Sequence, residues 1–105
     1  MNNTELLTEI KEANLAYLLL AQQMLKEDRA AAIYRLGIAA DVADILERLA
    51  PSQVARIAPS GTLMFRMRCD ERSVLELLAD RHTAPALAQT HAAILMAGRA
   101  PEPVA

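Results

Sequence analysis

The residues of this chain that could do chemistry are few and far apart in sequence. His82 and His91 lie nine positions apart, a spacing that does not place them on one face of a helix, and the single cysteine, Cys69, is distant from both. The chain has no glycine-rich phosphate loop, no paired-carboxylate pattern and no catalytic motif around a serine or the cysteine. We therefore expect no catalytic site, no metal site and no cofactor in this chain alone, and an enzyme is the least favoured class.

A second group of residues could contact a nucleic acid. Arg29 and Arg35 flank a short stretch of the chain, and Tyr34 stands beside Arg35. These residues form either a solvated basic face or a set of contacts to phosphates and bases. The net charge of the chain is −2, whereas a protein that binds nucleic acid on its own normally has a basic excess. If the chain touches DNA, a more basic partner should supply most of the phosphate contacts.

Composition limits the fold and the compartment. Apolar residues make up 53% of the 105 residues but aromatic residues only 3%, which favours aliphatic helices over an aromatic-rich β fold. One cysteine cannot form an intramolecular disulfide, so a reducing compartment is expected, while an intermolecular disulfide remains open. The sequence has neither a signal peptide pattern nor an apolar run long enough for a membrane span. These features predict a cytoplasmic protein without a membrane segment.

The element that must organise the fold is a long helix over residues 4–27. Asn2 and Glu5 have the spacing of a capping box at its start. Residues 15–21 are apolar nearly all round, which requires burial on more than one side. A chain this small covers one face of such a helix more easily than two. A second copy of the helix would cover the other face, so we predict a symmetric homodimer, against the alternative of a central helix in a compact monomer.

Shorter helices follow. Residues 29–36 favour a helix, Gly37 suits a left-handed turn, and Asp41 is placed to cap the next helix. The outline is that of a helix-turn-helix unit, although any helical hairpin can end its first helix with glycine. A further short helix is expected to begin near Pro51 and to end before residues 59–61.

The segment 63–69 alternates in polarity and predicts a strand. Leu63, Phe65, Met67 and Cys69 would lie on one face and the intervening residues on the other. A lone strand leaves its backbone groups unpaired. The segment should therefore pair with a copy of itself or run as an extended segment.

The C-terminal third predicts a second pair of helices over residues 71–98. Asp70 is the expected cap of the first, and Thr83, Pro85 and Gly98 mark the bounds of the second. His91 falls on the apolar stripe of this second helix, either as a half-buried, hydrogen-bonded residue or as a polar anchor in a protein interface. Residues 99–105 have no apolar periodicity and predict a disordered tail. The fold class is all-α, with one domain over residues 1–98.

Several of these stretches together resemble one known family. The run "TELLTEIKEANLAYLLLAQQMLKEDRAAAIYRLGI" resembles the start of FlhD, a bacterial flagellar transcriptional regulator, in its ELL-x3-I-x3-NL-x-YLLLAQ and D-x-A-x-A-x2-RLGI patterns. The likeness continues through "QVARIA", "LMFRMRCD" and "THAAILM" and covers about residues 3–98. The chain is identified as a member of the FlhD family on these motifs.

The resemblance implies a function that the residues alone do not. FlhD-type proteins form intertwined homodimers and join FlhC in a hetero-oligomer of four FlhD and two FlhC subunits. That assembly binds flagellar promoter DNA and contacts σ70 RNA polymerase, and FlhC supplies the zinc-binding cysteines and most of the DNA contact. An alternative from a different class is a dimeric adaptor whose helix pairs make only protein contacts.

The predicted site residues fall into three groups. The residues expected to contact DNA are Asp28, Arg29, Tyr34 and Arg35. The residues expected in the dimer interface are Leu7, Ile10, Leu15, Tyr17, Leu18, Leu19 and Phe65. The residues expected to contact the partner or to support activity are His82, His91, Ile94 and Met96.

The sequence departs from the family pattern in three places. Phe65, not Cys69, stands where some relatives carry an interface cysteine, so an intersubunit disulfide is not expected. Gly61 replaces a polar residue at a position linked to DNA contact, so that contact should be lost. Residues 82–84 differ from the usual segment, which puts the details of partner contact in question.

Overall fold

The computed structural model describes residues 1–69, 71–80, 93–94 and 96–97 of the chain. These residues are organised by five helices: α1 (Asn3–Glu27), α2 (Arg29–Leu36), α3 (Ala40–Arg48), α4 (Pro51–Ile57) and α5 (Arg72–Ala79). No strand occurs among the described residues, and α1 is much the longest helix. The predicted all-helical class with a long N-terminal helix is confirmed. The chain divides into two compact units, Met1–Arg66 and Met67–Ala105.

The long helix α1 begins with the capping box that the sequence predicts. The Glu5 N–H donates to Asn2 Oδ1 at 2.8 Å, and the Asn2 N–H donates back to Glu5 Oε2 at 3.3 Å. The two bonds satisfy backbone donors that have no partner within the helix. The helix starts at Asn3, one residue before the predicted position, and ends at the predicted Glu27.

One face of α1 forms the core of the first unit. The buried residues of this inner face recur at helical spacing and are Asn14, Leu18, Ala21 and Leu25. Leu25 packs with the buried alanines Ala32 of α2 and Ala43 of α3, and partly buried side chains surround this cluster. Small residues let the short helices approach α1 closely. The inner face is therefore covered by the chain itself.

The connection between α2 and α3 is the predicted glycine turn. Gly37 has φ 66° and ψ 38°, a left-handed conformation that glycine adopts without steric cost, and its N–H donates to the Ile33 carbonyl at 2.9 Å. The prediction that Asp41 caps α3 is wrong. The N-cap is Ala39, and Asp41 lies in the first helical turn, where Oδ1 accepts from the Val42 N–H at 2.9 Å. An acidic group in that turn still interacts favourably with the helix dipole.

Helix α4 begins with Pro51, as predicted, and leads into an irregular segment. The predicted strand over 63–69 does not form, since this segment consists of bends and turns. A side chain on α1 holds the residues that lead into this segment. Asn14 Nδ2 donates to the carbonyl oxygens of Ala58 at 2.9 Å and Thr62 at 2.8 Å, and Asn14 Oδ1 accepts from the Met64 N–H at 2.8 Å. The amide takes the place of a neighbouring strand, because it offers the same donor and acceptor as a peptide group.

The second unit contains α5. Its N-cap is Glu71, so the predicted cap Asp70 is one residue too early, and Asp70 itself lies outside the described residues. Val74 is buried, whereas Leu75 and Leu78 are exposed. The predicted helix bounds Thr83, Pro85 and Gly98 and the predicted tail 99–105 also lie outside the described residues, although residues 93–94 and 96–97 are helical. Within the described part of the chain, no helix has the length and apolar character to cross a membrane.

Candidate nucleic-acid and subunit interfaces

The outward surface of α2 carries the most plausible contact residues for DNA. Ala32 is buried against the core and Ile33 packs beside it, which fixes the rotation of this helix. Tyr34 is consequently 58% exposed, and Arg35 beside it is also exposed. An exposed aromatic ring and a guanidinium on adjacent positions offer stacking and phosphate or base-edge contacts on one side of a short helix.

Asp28 has a structural task that the sequence did not reveal. Its N–H donates to the Met24 carbonyl at 3.0 Å and ends α1, while its Oδ1 accepts from the Ala31 N–H at 3.2 Å and caps α2. One residue therefore ends one helix and starts the next. A side-chain cap of this kind contributes about 1 kcal/mol to helix stability. The carboxylate that is predicted to contact DNA is thus already engaged within the chain.

Arg29 is likewise engaged. Its Nη2 donates to Asp44 Oδ1 at 2.5 Å and to the Ala40 carbonyl at 3.3 Å, and its Nη1 donates to Glu47 Oε1 at 2.6 Å. The hydrogen bonds to Glu47 and then Asp44 raise the pKa of Arg29 above its ordinary value. The guanidinium is therefore charged at any pH at which the protein is handled. Its partners, all on α3, join the start of α2 to that helix.

A half-buried amide of α1 supports the other end of α3. Gln22 Nε2 donates to the carbonyl oxygens of Leu46 at 3.0 Å and Leu49 at 2.9 Å. Leu46 lies in the last turn of α3 and Leu49 is its C-cap, so the amide binds carbonyl groups at the end of a helix, where helical hydrogen bonds run out. Gln22 and Asn14 lie on the same side of α1 and fix the ends of α3 and α4, respectively. Sequence analysis missed both residues, as well as Asp44 and Glu47. The available signal for Asn14 and Gln22 was the presence of amide side chains within an apolar helix.

The side of α1 away from the inner face remains largely open. An apolar outer stripe advances by alternate steps of four and three residues, which is the spacing of a helix-to-helix seam, and consists of Leu6, Ile10, Ala13, Tyr17 and Leu20. The next residue in this register, Met24, packs against the chain's own core. Leu6 is 47% and Leu20 58% exposed, and the other members are half-buried. Leu7 and Leu19 are exposed beside this stripe. Exposed leucines grouped on one helix are typical of an interaction surface.

The predicted interface residues do not all lie on that open side. Leu18 is only 3% exposed in the single chain, so its side chain belongs to the chain's own core and has little surface left for a partner. The Tyr17 and Phe65 rings stack with centroids 4.8 Å apart and planes 24° apart. Ile10, Leu15, Tyr17 and Phe65 are half-buried. Phe65 therefore lies against Tyr17 of the outer stripe within one chain, and its place in a dimer interface stays a prediction.

The predicted partner-contact residues are described only in part. His82 and His91 lie outside the described residues, Ile94 is 61% exposed, and Met96 is half-buried. Cys69 is half-buried with a free thiol. In the described ranges, no group of three His, Cys, Asp or Glu side chains is placed to hold a metal ion.

Comparisons with known proteins define the class and then the family. Similar proteins over almost the full length are transcriptional regulators, not enzymes. Each of the following is named "Flagellar transcriptional regulator FlhD". The protein of Nitrosomonas eutropha is 52% identical over 99% of both chains. That of Nitrosomonas europaea is 54% identical over 93% of both, and that of Bordetella avium is 46% identical over 100% of both.

The family profile agrees with these relatives. The family described as "Flagellar transcriptional activator (FlhD)" matches residues 1–102. The chain belongs to the FlhD family of flagellar transcriptional regulators, and it is accordingly a regulator and not an enzyme.

Proposed function

We propose that this chain is a DNA-contacting subunit of a flagellar transcription activator that works in a hetero-oligomer with an FlhC-type subunit. The observation that carries the proposal is the outward surface of α2, where Tyr34 and Arg35 are exposed on a helix whose rotation is fixed by Ala32. Membership of the FlhD family supports this surface as a promoter contact. The chain would act in the cytoplasm, where the promoters are.

The outer stripe and the charge of the chain support the assembly that the family resemblance implies. Two copies pair through α1, and two such dimers bind two FlhC-type subunits. The net charge of −2 disfavours tight binding of DNA phosphates by this chain alone, so the partner supplies most of the phosphate contacts. In this arrangement Asp28 contributes by ending α1 and capping the start of α2. The region holding His82, His91, Ile94 and Met96 contacts the partner, and the whole complex recruits σ70 RNA polymerase.

Promoter titrations test the DNA role. Labelled flagellar promoter and scrambled DNA are titrated with the chain, with the FlhC-type subunit and with both, at several salt concentrations. We expect promoter-specific binding by the complex and little by the isolated chain. Arg35→Ala should weaken the complex by about 1–3 kcal/mol on the promoter alone if Arg35 contacts a base. A phosphate contact would instead weaken binding to all sequences and lower the salt slope by about one.

Arg56→Ala is the matched control, because Arg56 is an exposed arginine on α4 and its loss changes the net charge equally. If Arg35→Ala and Arg56→Ala both leave promoter binding unchanged, the adaptor function replaces the DNA role. Run-off transcription with σ70 RNA polymerase tests recruitment separately. Tight promoter-specific binding by the isolated chain would contradict the shared role of the two subunits.

A further inference from the structure

Arg29 is bound along one face of α3 and not displayed for an outside ligand. Its acceptors are the Ala40 carbonyl, the Asp44 carboxylate and the Glu47 carboxylate, which follow one another at four and three residues along that helix. They therefore lie on successive turns of one side of α3. A single guanidinium spans them because its donors form a rigid planar fork.

This arrangement is poorly suited to binding a phosphate. To reach DNA, the guanidinium would have to leave two carboxylates at 2.5 and 2.6 Å. The three charged groups together also carry a net negative charge, which repels a phosphate backbone. Arg29 is half-buried, whereas Tyr34 and Arg35 are exposed. Direct DNA contact by Arg29 is therefore disfavoured.

The same contacts suit the task of orienting α2. Ala32 of α2 and Ala43 of α3 both pack on Leu25 of α1, so the buried apolar cluster attaches each helix to α1. The Arg29 hydrogen bonds, in contrast, join the start of α2 directly to α3. The Gly37 turn restrains one end of α2, and Arg29 is its first residue at the other end. Fixing both ends sets the direction in which Tyr34 and Arg35 project.

We propose that Arg29 is a positioning residue: it holds the start of α2 on Asp44 and Glu47 so that Tyr34 and Arg35 meet promoter DNA, and it does not bind DNA itself. This inference rests on the proposed DNA role of α2. If the inference is right, Asp44 and Glu47 favour DNA binding by holding Arg29. Their negative charges alone would instead weaken DNA binding by repelling the phosphates.

The test measures promoter affinity and its salt dependence for the purified hetero-oligomer with four versions of this chain. These are wild type, Arg29→Ala, the double variant Asp44→Asn with Glu47→Gln, and the combination of all three substitutions. We expect the single and the double variant each to lose about tenfold in promoter affinity, a coupling typical of contacting residues. The combination should lose no more than either. The salt slope should not change, whereas loss of a phosphate contact would reduce it by about one.

Two further variants separate positioning from charge. Arg29→Lys keeps the charge but cannot bridge both carboxylates equally, so it should restore only part of the affinity. Reversing the pair, Arg29→Glu with Asp44→Arg and Glu47→Arg, should restore more than Arg29→Glu alone. Circular dichroism should report an unchanged helix content for every variant, because the ion pairs are at the surface.

The outcomes distinguish the inference from the proposed function. If the double variant binds as tightly as wild type or more tightly, while Arg29→Ala binds more weakly with a lower salt slope, Arg29 contacts DNA and the inference is wrong. Additive losses would also contradict it. If the wild-type complex fails to bind the promoter, the proposed function fails and the inference fails with it. Loss of helix content in Arg29→Ala would make the residue a general stabiliser and not a positioning residue.

Discussion

The two sides of α1 use the same kinds of residue for different tasks. The inner face, consisting of Asn14, Leu18, Ala21 and Leu25, is buried by α2, α3 and α4. The outer stripe ends in Leu6 and Leu20, which are 47% and 58% exposed. Burial of the inner face stabilises the chain itself, whereas the outer stripe can lower its free energy only by contacting another surface. Folding and assembly should therefore respond to different substitutions on one helix.

The largest effect is expected on the inner face. Leu18→Asp places a carboxylate where the side chain is 3% exposed and should destabilise the chain by at least about 4 kcal/mol, enough to unfold a small domain. Thermal and urea unfolding followed by circular dichroism measure the loss. Leu19→Asp is the control, because Leu19 is 50% exposed, and it should retain helical structure. Equal destabilisation by the two variants would show that the inner face of α1 contributes no more to stability than its exposed side.

The next effect concerns assembly. Leu20→Asp should prevent pairing through the outer stripe, because a carboxylate without a partner enters an apolar contact, and the dimer dissociation constant should rise about a hundredfold or more. Sedimentation analysis measures it. Gln23→Asp, at an exposed polar position of the same helix, should leave the dimer intact. A Leu20→Asp protein that remains fully dimeric would place the subunit interface elsewhere.

A third prediction concerns the buried amide. Asn14→Leu keeps the size of the side chain but removes three hydrogen bonds, to Ala58, Thr62 and Met64. The abandoned backbone groups should make the change cost about 3 kcal/mol, despite the added apolar surface. Chemical denaturation measures the loss of unfolding free energy. Gln23→Leu is the control, because Gln23 is an exposed amide on the same helix, and the difference between the two variants gives the cost that comes from burial. A neutral Asn14→Leu would mean that water replaces the lost bonds.

Local signals in the sequence predicted the local parts of this structure. The Asn2–Glu5 capping box, the Gly37 turn and Pro51 at a helix start each depend on residues a few positions apart, and all three are present. The two sides of α1 were not distinguishable in advance, because an all-round apolar segment has no polar residue to mark the outside. Leu18 was therefore assigned to the dimer interface, although the chain buries it itself.

Long-range contacts are the part of the structure that the sequence did not show. The alternation over 63–69 has the period of a strand, but the single chain forms bends and turns there, and Asn14 binds the Thr62 carbonyl and the Met64 N–H from about fifty positions away. Arg29 was assigned to DNA because its charge is visible in the sequence, whereas its pairing with Asp44 and Glu47 depends on how α2 and α3 fold together. Polarity patterns carry no information about such partners.

The smallest expected effect tests how closely the segment after α4 fits the inner side of α1. Gly61 lies between the two carbonyl groups that Asn14 binds, and its φ of 86° is in the left-handed region. A Cβ at this position would meet Leu7 Cδ2 at 4.0 Å, an ordinary contact, so space is not the difficulty. Gly61→Ala should therefore cost about 1 kcal/mol through backbone strain alone. Gly61→Asn should cost less, because asparagine tolerates this conformation. Urea midpoints of the two variants give the comparison, and equal losses would show that contact with Leu7, not the backbone angle, sets the cost.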